Sequence, residues 1–494
     1  MKILFAASEI TPLAQTGGLA AVMRSLPIAL QQNGIETAVV MPKYRHIEAE
    51  IDDLAHISIP VEEKFIKGRI QQTTLPDSDI KVFLIEQDDY YDRDGLYTEQ
   101  GRDYPDNLER YTFFCRAVLN LVTRNIYKAD IIHANDWQTA LIPVYIKTLF
   151  KDHELINKIK TLYTIHNLAY QGIFPIFNYP ILGMGLEHFN INELEFYNQI
   201  NLMKGGIVFA DFINTVSPTY ADEIQTIELG YGLDGIIKKN NSRLRGIVNC
   251  IDYDEWSPSS DSSIASMYNV DTVVEGKTEN KEALLKEFGL PVTKDRKPLL
   301  GMVSRITQQK GCDLLIEILP ELIKNGAQVI VLGTGDLKLE EQLLALKKKY
   351  PESFGVVIDY DTRLSHFIEA GSDIFLMPSR FEPCGLNQMY SLRYGSIPVV
   401  HSIGGLADTV TDIHKSDTGN GFTFDQETSE NFLEACTRAM KHFEDPAAWK
   451  TLMQRAMRID FSWNRSAQDY IDIYKSLLDD SNNSHKYIDS LSSR

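Results

Sequence analysis

Apolar residues fall along this chain in short bursts, each closed by glycine or polar residues and followed by a stretch of helical spacing. The run 2–7 (KILFAA) reads as a buried strand, and Gly17-Gly18 opens a helix that continues through Leu30. Further strands are predicted at 36–40, 81–85, 129–134, 161–165, 212–217 and 244–251. A loop rich in Tyr, Asp and Gly spans 90–105. After it, Asp106 is placed to cap a helix over 107–124, whose apolar side carries Tyr111, Phe114, Val118, Leu119 and Leu121. Over 252–297 the composition turns to Ser, Asp, Lys and Glu, with Pro258, Pro291 and one short helix near 281–288. Strand–helix alternation then starts afresh, with strands at 299–304, 328–332, 355–358, 373–377 and 398–401. Helices at 429–443, 447–459 and 467–478 end the pattern, and a polar tail, 479–494, is expected to be mobile. Two successive runs of this kind predict an α/β chain of two doubly wound, Rossmann-like domains facing each other across a deep cleft. We place them at 1–255 and 256–460.

Length agrees, because 494 residues exceed what one ordinary core organises. With 44% hydrophobic and 24% charged residues the chain is globular, and no apolar run approaches a membrane span. Met1-Lys2 leads straight into a strand, so a cytoplasmic protein is expected. Five scattered cysteines show no metal-ligand spacing and are expected to be reduced. A formal charge of −19 argues against nucleic acid or an anionic membrane as partner. An anionic small ligand would need a local cationic pocket.

Candidates for such chemistry sit at predicted strand ends. The stretch 378–395, PSRFEPCGLNQMYSLRYG, is a strand exit, a sharp polar loop and a helix start. Bare amides there suit hydroxyl or phosphate oxygens, with Glu382 in the loop and Gly385 permitting close approach. The plainer reading makes Glu382 a complement to the helix dipole. Gly17-Gly18 after the first strand is a weak phosphate-cradle signal, and Asp136 taken alone reads as a helix N-cap. His166 alone would more often be structural. Arg305 and Lys310, on the loop after strand 299–304, are the candidates for the cationic pair the acidic chain requires, although this spacing alone reads by default as a solvated surface pair. Asp359-Tyr360-Asp361 has the spacing that some sugar transferases use for a divalent ion.

RFEPCGLNQMYSLRYG resembles the donor-site loop of the bacterial glycogen synthases and plant starch synthases, retaining glycosyltransferases of the GT-B fold. The resemblance runs from Met1 to about Tyr474 and includes HANDW at 133–137, YTIHNLAYQG at 163–172 and SRITQQKG at 304–311. It implies glucosyl transfer from ADP-glucose to the non-reducing 4-hydroxyl of glycogen or another α-1,4-glucan, with no cofactor and no metal. By the same resemblance Asp136 accepts from a sugar hydroxyl, His166 reaches the donor 6-hydroxyl, Asn249 contacts the donor sugar, and Tyr360 lies against adenine. Glu382, Cys384, Gly385 and Leu386 line the donor loop. The helix at about 463–478 would cross back to the first domain, with Trp463 at the crossing.

Two departures matter. The family carries lysine where this chain has Gln15, and aspartate where it has Ala21; Cys250, His401 and Ile403 are further changes. A nucleotide diphosphate leaves without an acid if its charge is met, so the implied machinery is Arg305, Lys310 and the Gly17 and Gly18 amides, with hydroxyl acceptors around the glucose. Retention implies front-face attack with the leaving phosphate oxygen as base. The alternatives are a weakened paralogue that binds glucan or nucleotide in a regulatory role, and a synthase preferring UDP-glucose. Oligomeric state is left open.

Overall fold

The structure, a computed structural model, describes residues 1–99, 101–293 and 295–479. Beyond residue 479 the expected tail lies outside the described residues. The chain divides into two compact units. The first is Met1–Ile247 joined by the chain from Trp463 onward, and the second is Val248–Ser462, so the division falls at 247/248 where the sequence reading set it at 255/256.

The first unit is built on nine strands: β1 (Lys2–Ala6), β2 (Glu36–Pro42), β3 (Asp52–Val61), β4 (Lys64–Thr74), β5 (Lys81–Glu86), β6 (Ile131–Asn135), β7 (Lys160–Ile165), β8 (Phe212–Thr215) and β9 (Leu244–Gly246). Their order is β9-β8-β7-β6-β1-β2-β5-β4-β3, parallel except for β4 against its two neighbours. The continuous apolar runs reflect this, since Ile3 to Ala6 are fully buried between two layers of helix. Sequence reasoning missed the β3–β4 hairpin. Its signal was the alternation in which Ile57, Ile59 and Val61 turn inward while Ser58 and Pro60 face water. The strand predicted over 244–251 is only three residues long. Its partner β8 ends at Thr215, opposite Gly246, and leaves no ladder to continue.

Helices α1 (Gly18–Gln32) and α2 (Asn107–Thr123) cover the sheet, and a three-stranded satellite sheet joins Ile173–Pro175, Gln199–Asn201 and Glu195–Phe196.

The second unit has six parallel strands: β10 (Leu299–Val303), β11 (Gln328–Gly333), β12 (Phe354–Ile358), β13 (Ile374–Met377), β14 (Ile397–His401) and β15 (Phe422–Phe424), in the order β12-β11-β10-β13-β14-β15. The helix expected near 281–288 is α3 (Val273–Glu287). Its buried side includes Gly276, Lys277 and Asn280, which hid its first half from a search for apolar periodicity. Trp256 is stacked between His366 and Tyr390, each ring 3.7 Å away. Helices α4 (Cys312–Lys324), α5 (Asn387–Tyr394) and α6 (Ser429–Phe443) complete the layers. Among the described residues no helix is long and apolar enough to cross a membrane.

The last helix, α7 (Trp463–Leu478), packs in the first unit against α1 and buries Trp463, Ala467, Tyr470, Ile471 and Tyr474. It is tied by a directional chain of hydrogen bonds. The Tyr474 hydroxyl lies 2.8 Å from His133 Nδ1, and His133 Nε2 lies 2.5 Å from Thr164 Oγ1. Thr164 donates to Asn214 Oδ1, and Asn214 Nδ2 donates to the Tyr470 hydroxyl at 3.1 Å. Since Thr164 spends its hydrogen on Asn214, His133 donates from Nε2 and accepts from Tyr474 at Nδ1. Burial holds the His133 imidazole neutral by pushing its pKa well down.

Tyr474→Phe should therefore cost about 1–3 kcal/mol, by leaving a buried ring nitrogen without its donor. Tyr474→Ala should cost about 3–5 kcal/mol. Calorimetry of the transition assigned to the first unit checks both, and equal melting temperatures for Phe and parent would remove the hydrogen-bond term.

Candidate active site

Each parallel sheet reverses its strand order at one place, between β1 and β6 in the first unit and between β10 and β13 in the second. Loops leaving strand C-termini at such a point form the ligand crevice of a doubly wound sheet. Gln15, Gly17 and Asp136 lie on the loops at the first switch point, Gly18 is the first residue of α1, and His166 stands at the end of the neighbouring β7. Arg305, Lys310, Glu382, Cys384, Gly385 and Leu386 lie on the loops at the second.

In the first unit the glycine turn is already occupied by a protein carboxylate. Glu9, buried directly after β1, accepts from the Thr16 amide at 2.5 Å, the Thr16 hydroxyl at 2.6 Å and the Gly17 amide at 3.3 Å, and also from the Tyr97 hydroxyl. A carboxylate withdrawn from water must collect donors, and the turn supplies them, the Gly17 amide among them. Sequence reasoning missed Glu9 and Tyr97. An acid inside the otherwise apolar strand exit FAASE was the available signal. Gln15 is exposed, and its Oε1 accepts from the Thr11 hydroxyl at 3.3 Å.

Asp136 stands at φ 57° and caps no helix with its side chain, against one of its two sequence readings. Its Oδ1 instead accepts from the amides of His166 at 2.8 Å and Asn167 at 3.4 Å. Burial lifts this carboxyl to about 7, against the two amide bonds that lower it. His166 Nε2 lies 2.9 Å from Asn135 Oδ1. Asn135 Nδ2 donates to the carbonyls of Ala6 and His133, so Oδ1 is the acceptor and His166 carries its hydrogen on Nε2. Burial drops this imidazole to about 3. The ring is thus neutral, with Nδ1 as a lone-pair acceptor for a hydroxyl.

In the second unit one ion pair joins the two switch-point loops. Lys310 Nζ lies 2.5 Å from Glu382 Oε2, with the side chains 18% and 8% exposed. Ser379 Oγ donates to the same oxygen at 3.0 Å, and His401 Nδ1 donates to the Ser379 carbonyl at 2.8 Å. His401, a departure from the family pattern, therefore braces the glutamate loop. The Arg380 amide donates to the Gln309 carbonyl at 2.8 Å, and Arg380 itself pairs with Asp313 and Glu427. Gly311 makes this approach feasible, since a Cβ there would sit 2.1 Å from the Pro378 carbonyl oxygen. Gly385 has φ 73° and turns the chain into α5, whose first amides lie beyond Leu386.

Arg305 is exposed beside this pair, with Nη2 donating to Gln309 Oε1 at 3.2 Å. Burial raises the Cys384 thiol, and the Asn249 amide beside it lowers it less. The buried Asn249 side chain leaves Oδ1 without a partner. Tyr360 follows β12 with 73% of its surface exposed. The flanking aspartates act locally: Asp359 Oδ1 accepts from the Tyr360 amide at 2.7 Å, and Asp361 caps the next helix through the Leu364 amide at 2.8 Å.

Two doubly wound units, one with a cationic pair and a loop glutamate at its switch point and the other with a neutral histidine beside its own, match the GT-B class of glycosyltransferases. Comparison with known proteins narrows the class. The family described as starch synthase catalytic domain matches residues 2–239, and that described as glycosyl transferases group 1 matches 287–453. The glycogen synthase of Geotalea daltonii is 45% identical over 97% of this chain and 99% of its own. That of Thermotoga maritima is 43% identical over the same shares. The catalytic domain of starch synthase IV from Arabidopsis thaliana, bound to ADP and acarbose, superposes with a TM-score of 0.89 at 32% identity, covering 97% of this chain and 99% of that one. Sucrose-phosphate synthase from Thermosynechococcus elongatus, with a TM-score of 0.60 and 16% identity, shares the fold. The chain belongs to the glycogen synthase family and is a glycosyltransferase of the glycogen and starch synthase type.

The raised Asp136 carboxyl has a pH consequence. Its pKa is about 7 when folded against 3.8 for an ordinary aspartate, so its contribution to stability is present below about pH 4 and lost as pH rises through 7. Asp136→Asn keeps an acceptor for the two amides and removes that loss. The stability of the variant relative to the parent should therefore grow between pH 5 and pH 8 in chemical denaturation. A difference flat in pH would contradict this environment for Asp136.

Proposed function

We propose that this synthase moves glucose from ADP-glucose to the non-reducing 4-hydroxyl of an α-1,4-glucan, with retention and without a divalent metal. The observation that carries the reading is the Lys310–Glu382 pair, flanked by the exposed Arg305 at the second unit's switch point. An ammonium has three donors, and one bond to Glu382 leaves two for a diphosphate oxygen. Arg305 adds a bidentate grip on the same group, and together they take up the charge that develops as the nucleotide departs. Glu382 and the Gly385–Leu386 backbone hold sugar hydroxyls. On the first unit His166 Nδ1 accepts a sugar hydroxyl, and Asp136 fixes the backbone that carries it. The exposed Tyr360 ring is assigned to the adenine. ADP in the Arabidopsis relative supports an adenine nucleotide donor. The five buried free thiols support a reducing, cytoplasmic setting.

Labelled glucose should pass to glycogen from ADP-glucose with a higher kcat/KM than from UDP-glucose, and EDTA should not reduce it. Abolition by EDTA with rescue by manganese would overturn the metal-free part, and a UDP-glucose preference would overturn the donor. Glu382→Gln keeps acceptors for Lys310 and Ser379. It should lower kcat about a hundred- to a thousandfold with little change in melting temperature. Lys310→Ala should also destabilise the second unit by about 3 kcal/mol, because it leaves Glu382 buried without its cation.

Gln15 offers N–H donors without charge where the family pattern of the resemblance has lysine. The deficit is about 1–2 kcal/mol, or about five- to thirtyfold in rate. The double change Gln15→Lys with Ala21→Asp should raise kcat/KM for ADP-glucose above the parent and above either single change. An unchanged value would show a donor site rebuilt around glutamine.

A further inference from the structure

The strand end that carries His166 runs into residues 167–186, which contain no charged side chain in a protein where 24% of residues are charged. This stretch and the satellite sheet beside it leave aromatic rings in water: Tyr170 is 53% and Tyr197 78% exposed. Single exposed rings are ordinary, but a contiguous group marks a binding surface. The group is contiguous with a third ring, Tyr231. Gln171 Nε2 donates to the Tyr231 carbonyl at 3.1 Å, and its Oε1 accepts from Asn201 Nδ2 at 2.6 Å. Burial, and then the neighbouring Tyr170, raises the Tyr231 phenol. A Cβ on the adjacent Gly232 would lie 3.6 Å from the Tyr197 ring.

Backbone geometry adds a second, independent observation. Tyr197, Asn198 and Tyr231 have φ of 50°, 61° and 48°. Left-handed backbone is disfavoured for residues with a Cβ, and bulky aromatic residues are genuine outliers there. Asparagine tolerates it, as at Asn198, whereas tyrosine at the other two places is uncommon in a plain turn. Strain of this kind persists at binding sites, where it aims a side chain. Here it sets the Tyr197 ring in water and leaves Tyr231 partly exposed beside it.

We propose that Tyr170, Tyr197 and Tyr231 form a platform on which the growing α-glucan chain stacks the C–H faces of its sugars. The proposal rests on the glucan-extending function above, and it names the surface that holds the acceptor away from the transferred residue. An uncharged polymer calls for such a surface, since rings with hydroxyl tips supply contact area and hydrogen bonds without net charge.

Tyr197→Asn removes the ring while keeping a residue suited to its backbone. In the full-length enzyme it should raise KM for maltoheptaose about tenfold, leave KM for ADP-glucose unchanged, and hold or raise the melting temperature. Tyr197→Phe should retain the parent KM, and Tyr231→Asn should repeat the effect of Tyr197→Asn. Retardation in a native gel cast with glycogen reads the platform without turnover: the parent is slowed and Tyr197→Asn is not. Unchanged KM for maltoheptaose and unchanged retardation in both asparagine variants would overturn the platform. So would a change in self-association on sedimentation with glycogen retardation intact, which would mark the patch as a contact between copies. A parent that is retarded by glycogen but transfers nothing from any glucose nucleotide would overturn the proposed function and leave the platform standing.

Discussion

The site in the second unit depends on a cation and an anion that neither loop could keep alone. Lys310 leaves the end of β10 and Glu382 the end of β13, and each is mostly withdrawn from water. An isolated charge so placed would be neutralised or would pull the loop open. Paired, the two hold the loops at a fixed spacing. Around them the Arg380 amide and the close approach at Gly311 do the same with uncharged groups.

The first unit solves a related problem with carboxylates that never meet a cation. Glu9 gathers two hydroxyls and two amides, and Asp136 gathers two amides. Each fixes the loop after a parallel strand, where backbone donors would otherwise point into open space. The imidazoles nearby are kept neutral by burial and oriented by amide and hydroxyl partners. In a chain with a formal charge of −19, the cationic pair at a switch point, Arg305 and Lys310, belongs to the second unit.

How much of this was legible depended on whether a residue obeyed one simple rule. Parallel strands buried on both faces read directly as apolar runs, and the second-unit loops were conspicuous because Arg305, Lys310 and Glu382 break such runs at strand ends. The β3–β4 hairpin was missed because a half-exposed edge alternates over a few residues only. The first half of α3 was missed because Gly276, Lys277 and Asn280 are buried for hydrogen bonding and close packing instead of hydrophobicity. Glu9 and Tyr97 lie far apart in sequence and meet only in the fold, so no spacing could announce them. Asp136 was seen, but which group its carboxylate serves is a matter of three dimensions: the strand next door, not its own helix.

The position of α7 in the chain has a consequence for the order of events during synthesis. The second unit is one uninterrupted segment, whereas the first lacks a helix until that segment has been translated. Until then His133, Asn214 and the apolar surface that meets Tyr470 and Tyr474 remain uncovered. On the ribosome the later unit can therefore reach its finished state before the earlier one. The nascent first unit waits, open along one side, for α7.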